Sequence, residues 1–380
     1  MKKAALAILF SLALTQNAWA ANFEEDKRVQ DWVARISDET LNSEYAKAIL
    51  DSQELITSYP EEPFPRFLLT TIYMYVLRCY GEFPADKNYE IYKKKFLIAA
   101  ADAEKACDEY RVQNATIYFL RGMVLGAEGM AHLQDEEFLD AYSKGKSAVA
   151  ALEKSLEIDP TNYDAYLGLG MFEYYCSKLT GAVKILAWLV GFSGDSEKGI
   201  EYVRKSMIHG KYAEGPAEVF LAYAYIEYED RLDEGIEIAR ILRAKYPRNY
   251  TFIEHILHAA RKLPPERAAD GLKWIDNYVK TPNWKNEVLL LVPFNLDEVD
   301  YVQANLYLEK GEYAAARTLL EPLSERGDIS EEFRAEVNLS LLYIYSKTEN
   351  HDKARQIYSH ILNHKSINNS HSKAKDIFSG

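Results

Sequence analysis

Recurrence of one helix-pair pattern constrains this 380-residue chain more than any other feature. After Glu24 nearly every stretch spaces its apolar residues with helical period, and alternating Val, Ile and Thr runs are missing. The clearest unit runs from Asp300 to Leu323. Ala304 and Tyr307 share one face of a first helix, Gly311 ends it, and Tyr313, Ala316, Leu320 and Leu323 mark a second. Small residues stand where two helices touch, large ones fill the gaps between pairs, and glycine takes the tight turn. Ala354, Tyr358 and Ile361 repeat the second-helix part after Leu342 and Tyr345. Ala316 and Ala354 are 38 positions apart, and the polar loop Ser324 to Asp328 absorbs the excess over a repeat of about 34 residues.

Earlier copies follow the same plan. Ala148, Leu152, Ser155 and Leu156 form a second helix that Pro160 stops. Asn162 opens the next unit, where Tyr166, Leu169 and Gly170 take the large, large and small positions. Gly235, Ala239, Leu242 and Pro247 mark another second helix. Pro160 and Pro247 lie 87 positions apart, which two repeats of about 34 leave about 19 residues short. The surplus falls between Tyr175 and Asp195, an insertion. Amphipathic helices are expected at 249–262 and 265–279, with Pro264 and Pro265 in the turn. Toward the N-terminus, helices near 25–36, 40–58, 62–80 and 88–110 are punctuated by Pro60, Pro63, Pro65 and Pro84. The organisation expected is therefore a helical region at 21–112 (degenerate repeats or a cap), then a repeat domain at 113–364 with its insertion near 176–195. Residues 365–380 are polar and expected to form a flexible tail.

On these residues the chain from about Asn114 to Asn363 resembles the tetratricopeptide repeat proteins. That resemblance implies an all-α fold, a right-handed superhelical solenoid of antiparallel helix pairs, and work as a scaffold. A narrower likeness covers Leu169 to Met207, which resembles a segment of exported bacterial tetratricopeptide proteins of unknown role. It is similar, more distantly, to the inclusion-body-clearance tetratricopeptide family. There an apolar insert and a glycine-rich turn split one helix pair, as Gly191, Phe192, Gly194 and Asp195 do here. The likeness transfers no catalytic residue and implies adaptor work.

The N-terminus reads as an address. Lys2 and Lys3 precede a short apolar run, Ala4 to Leu14, and Ala18-Trp19-Ala20 supplies a small-x-small cleavage pattern. The run is far shorter than the roughly 20 residues that span a bilayer. Cleavage between Ala20 and Ala21 is expected, with no cysteine after it to carry a lipid, so the expected compartment is the periplasm. A net charge of −13, or −15 without the two lysines, argues against a nucleic-acid partner and offers an anionic membrane no attraction. Cys79, Cys107 and Cys176 fall inside helical patterns and read as small buried hydrophobes; an odd number permits one disulfide at most.

Motifs that would carry chemistry fail on spacing. Gly191 to Asp195 imitates a serine-nucleophile elbow, but the second glycine comes one place early and no strand precedes it. Glycines for a turn and Asp195 as the cap of a helix from Ser196 explain it better. His255 with His258, and His360 with His364, could each supply two metal ligands, short of the three or four that zinc needs. No phosphate-cradling glycine loop occurs. The sequence thus points to no enzyme, no cofactor and no metal. The apolar run Ile185 to Val190, with Trp188, Leu189 and Phe192, reads as a plug folded into the repeats; the competing reading is a docking patch for a membrane or partner. Among 28 tyrosines, Tyr223, Tyr225 and Tyr228 crowd one helix and are the candidates for a recognition groove. The function expected is a periplasmic scaffold that receives a segment of another periplasmic or envelope protein in its concave groove. The alternative is a transporter-associated accessory protein that binds a small solute.

Overall fold

The structure, a computed structural model, describes residues 26–80, 87–181, 184–185, 193–249, 251–263, 296–327, 329–348, 350–364, 366 and 369–379. All regular secondary structure among them is helical, and helices adjacent in sequence pack as neighbours. Contacts divide the chain into two units. The first holds the described residues up to Ala222 together with Ile241–Asn249; the second holds Tyr223–Arg240 and the described residues from 251 onward.

In the first unit, α1 (Lys27–Leu41), α2 (Tyr45–Ser58), α3 (Pro63–Cys79) and α4 (Lys87–Glu109) occupy the irregular N-terminal region. Asp26 caps α1 by accepting the Arg28 N–H at 2.8 Å, and Pro63 starts α3, where its missing N–H costs nothing. Next come α5 (Ala115–Gln134) and α6 (Phe138–Ile158), the most extensively packed pair, and α7 (Ala165–Lys178) with α8 (Ser196–His209). Asn114 caps α5, and Ser155 on α6 donates to the Ala115 carbonyl at 2.7 Å. The expected small positions are where helices touch. A Cβ placed on Gly170 of α7 would meet the Gly199 carbonyl oxygen of α8 at 2.6 Å, and one on Gly199 would meet the Gly170 oxygen at 2.8 Å. Asp195 caps α8 through the Lys198 N–H at 3.0 Å, as the turn reading of that segment expects. Helices α9 (Glu214–Glu227) and α10 (Leu232–Lys245) begin and end in different units.

The N-terminal helices also make contacts far along the chain. The turn after α1 reaches the segment after α10: Asn42 accepts the Arg248 N–H at 2.8 Å, Glu44 pairs with Arg248 at 3.0 Å, and Asn249 donates to the Leu41 carbonyl at 2.6 Å. Phe64 of α3 lies against Tyr212, ring centroids 4.9 Å apart. Contacts across more than 140 positions mean that the first unit is not a strict nearest-neighbour stack.

In the second unit, α11 (Thr251–Lys262), α12 (Leu296–Glu309), α13 (Tyr313–Ser324), α14 (Glu331–Lys347), α15 (His351–Asn363) and α16 (Ser370–Ser379) pack in sequence order. The repeat register is visible in burial. Ala304, Ala316, Leu320 and Leu342 are fully buried, and Leu323, Tyr345, Ala354 and Ile361 nearly so. Gly311 takes a left-handed φ of 71°; its own N–H donates to the Leu308 carbonyl and the Glu312 N–H to that of Tyr307, which closes the turn. The expected flexible tail is corrected here. From Ser370 the chain is helical, and α16 packs on α14 and α15 with Ser370 and Ala374 buried and Phe378 stacked on Tyr358 at 4.5 Å. Two small residues and one aromatic, four positions apart, make a contact stripe that a polar composition hides.

Candidate functional site

Helix α8 separates its two faces by type. Gly199, Val203 and Ser206 are buried against its neighbours. Tyr202, Lys205 and His209 form the adjacent stripe, about 100° round the helix, where they meet Tyr163 and Tyr166 from the turn that starts α7. Tyr163 and Tyr166 stack at 6.3 Å, Tyr166 meets Tyr202 edge-on at 5.0 Å, and His209 lies 5.0 Å from Tyr163. The Lys205 Nζ sits 3.8 Å from the Tyr166 ring centre and 5.5 Å from that of Tyr163. A hydrogen bond to Tyr166 holds the Lys205 ammonium above the ordinary lysine value. Lys198 covers Tyr202 at 5.4 Å and pairs with Glu173. Buried Asp164 fixes the adjoining loop by accepting the Lys211 and Tyr212 N–H groups at 2.9 and 2.8 Å.

The result is a half-buried aromatic platform edged with cations. Between residues 198 and 211 stand Lys198, Arg204, Lys205 and Lys211, with His209, against one acid, Glu201. In an acidic chain this is a local reversal of sign. Rings with polar tips offer contact area at low entropy cost, and ammonium groups beside them favour carboxylates. Such a surface offers apolar contact area beside positive charge.

The residues expected from the sequence fare differently. Tyr225 is buried and lies under the Arg231 guanidinium at 4.1 Å, so it belongs to the core and not to a groove. Tyr223 and Tyr228 do come together, ring centroids 5.7 Å and hydroxyl oxygens 3.4 Å apart, with Tyr228 exposed. Two positions along a helix turn a side chain by about 200°, which separates Tyr223 from Tyr225. Trp188, Leu189, Phe192, Ala20 and Ala21 lie outside the described residues; Ile185, three positions before Trp188, is exposed. His255 is buried against the Tyr223 ring at 5.6 Å, and the side chain of His258 lies outside the described residues. His360 and His364 face each other with rings 4.2 Å apart, but the His364 Nδ1 is 2.8 Å from the His360 carbonyl oxygen. Burial, His364 and Arg334 push His360 down. Cys107 and Cys176 are free thiols, and burial pushes both up to about 12, far from the reactive thiolate.

Sequence reasoning missed a second polar cluster. Lys144 of α6 bridges Glu104 of α4 and Glu128 of α5 at 2.6 and 2.5 Å. Burial, then the hydrogen bond with Glu104, pushes Glu128 up to about 7. Burial acts on Glu104 in the same sense, but bonds with Glu128 and Lys144 outweigh it and hold that carboxyl low. Two carboxylates in one site do not ionise equally easily, so one is raised and the other lowered. The three residues come from three helices, so no local pattern announces them. No family model matches the chain, and no curated protein matches it. No helix of the described residues is long and apolar enough to cross a membrane.

Proposed function

We propose that this chain is an exported, non-enzymatic scaffold of tetratricopeptide type, whose stacked helix pairs hold an acidic segment of another envelope protein. The tyrosine–lysine platform of α7 and α8 carries the reading. Three tyrosines, a histidine and two ammonium groups converge there in a chain of opposite net charge. The close approach of Gly170 and Gly199, and of helices through Ala304, Ala316 and Ala354, supports the repeat architecture. The Lys2-Lys3, apolar run and Ala18-Trp19-Ala20 pattern supports export. Tyrosines that act as binding hot spots cost about 2 kcal/mol or more when truncated.

A photo-crosslinking residue placed at Tyr166 or Tyr202 tests this in cells. The expected adduct joins a partner through a segment rich in Asp and Glu, and Lys205→Glu abolishes it. The same residue at Leu50, exposed on α2, is the control. Adducts equal at Leu50 and Tyr166 would refute the assignment of the platform.

A further inference from the structure

The turn between α5 and α6 brings together three side chains that neither the platform nor the repeat packing uses. Glu136 adopts a left-handed φ of 61°, and the Glu137 N–H donates back to the His132 carbonyl at 2.9 Å. The chain thereby doubles over, so that His132 from the last turn of α5 faces Glu137 and Asp140 at the start of α6. One nitrogen or carboxylate oxygen from each lies within 4.8 Å of the others. The His132 Nδ1 and a Glu137 oxygen are 2.6 Å apart. The next acid in the turn, Asp135, is engaged elsewhere, with the Tyr89 hydroxyl at 3.0 Å and with Lys93, which braces the turn against α4.

We propose that His132, Glu137 and Asp140 form a binding site for a first-row divalent metal ion, zinc above all. Tetrahedral zinc with ligand bonds near 2.0–2.1 Å sets its ligand atoms about 3.3 Å apart. His132 and Glu137 reach that spacing by opening less than 1 Å, and Asp140 by closing in, both by side-chain rotation on an accessible surface. Two carboxylates neutralise the dication, and imidazole selects transition ions over calcium and magnesium, which take oxygen ligands. Three protein ligands leave the fourth position to water. Binding staples the end of α5 to the start of α6. The spacing, five and then three residues, matches no helical zinc motif, and only the left-handed turn makes it a cluster.

Zinc chloride titrated into the full-length chain by calorimetry tests the site, with thermal melting alongside. Wild type is expected to bind one tight equivalent and to melt higher with zinc, and to give no such response to calcium or magnesium. Glu137→Gln and Asp140→Asn, at exposed positions, should each weaken binding at least tenfold, and His132→Ala should abolish it. His360→Ala with His364→Ala should leave it intact. Undiminished zinc binding in Asp140→Asn and His132→Ala, or its loss in the His360/His364 variant alone, overturns the assignment. So does a wild-type chain that takes up no zinc.

Discussion

Glu128→Gln should change how stability depends on pH, and by a calculable amount. In the folded protein burial and Glu104 raise the Glu128 carboxyl to about 7, against an ordinary value of 4.5. A raised folded value means the neutral acid is favoured. Its contribution is complete below about 4.5 and is lost as pH rises through about 7. Each unit is worth about 1.4 kcal/mol, so the loss approaches about 3 kcal/mol by pH 8. Glu104, held low, works in the opposite sense but in a separate acid window, where its contribution is lost as pH falls. Glutamine keeps a donor for Glu104 and cannot ionise. Urea unfolding of wild type and variant at pH 5, 6, 7 and 8 isolates the effect. The variant should gain on wild type steadily from pH 5 to pH 8, by about 2–3 kcal/mol in all. A stability difference that stays flat across that range would refute the reasoning.

Four further outcomes follow from the packing and from the proposed export. Ala316→Trp, at a fully buried position of α13, should cost about 1–3 kcal/mol and lower the melting midpoint of the second unit. Gly170→Val should be worse than Gly168→Ala on melting, since its branched Cβ meets backbone, the Gly199 oxygen at 2.6 Å, rather than movable side chains. Phe378→Ala should make the last ten residues susceptible to limited proteolysis, because its stacking on Tyr358 is part of what fastens α16. Residues 1–30 fused to a reporter active only outside the cytoplasm should give signal, and N-terminal sequencing of the mature chain should begin at Ala21.

Pairing between adjacent helices was legible because it rests on short-range chemistry. Gly170, Ala304, Ala316 and Ala354 are small at helical spacing beside large residues, and each stands where helices meet. Asp195 and Gly311 announce their cap and turn for equally local reasons. Features made by distant segments were not legible. Nothing near Asn42 or Glu44 signals that Arg248 will dock there, and periodicity says nothing about which remote loop a helix end meets. Crowding drew attention to Tyr223, Tyr225 and Tyr228, yet helical geometry sends Tyr225 into the core. Tyr166 was legible as a large residue of a first helix, but its partner Lys205 lies on another helix beyond the insertion. Likewise the Glu104–Glu128–Lys144 trio and the His132 cluster need tertiary proximity or a left-handed turn that sequence spacing does not display.

Fluorescence anisotropy with a labelled peptide rich in Glu, Asp and one or two aromatic residues tests the scaffold reading most directly, run beside a peptide with those acids replaced by lysine. The platform predicts saturable binding of the acidic peptide alone, weakened by salt and reduced at least tenfold by Lys205→Glu or by Tyr166→Ala with Tyr202→Ala. Equal binding of the two peptides, or binding that survives both variants, would contradict it.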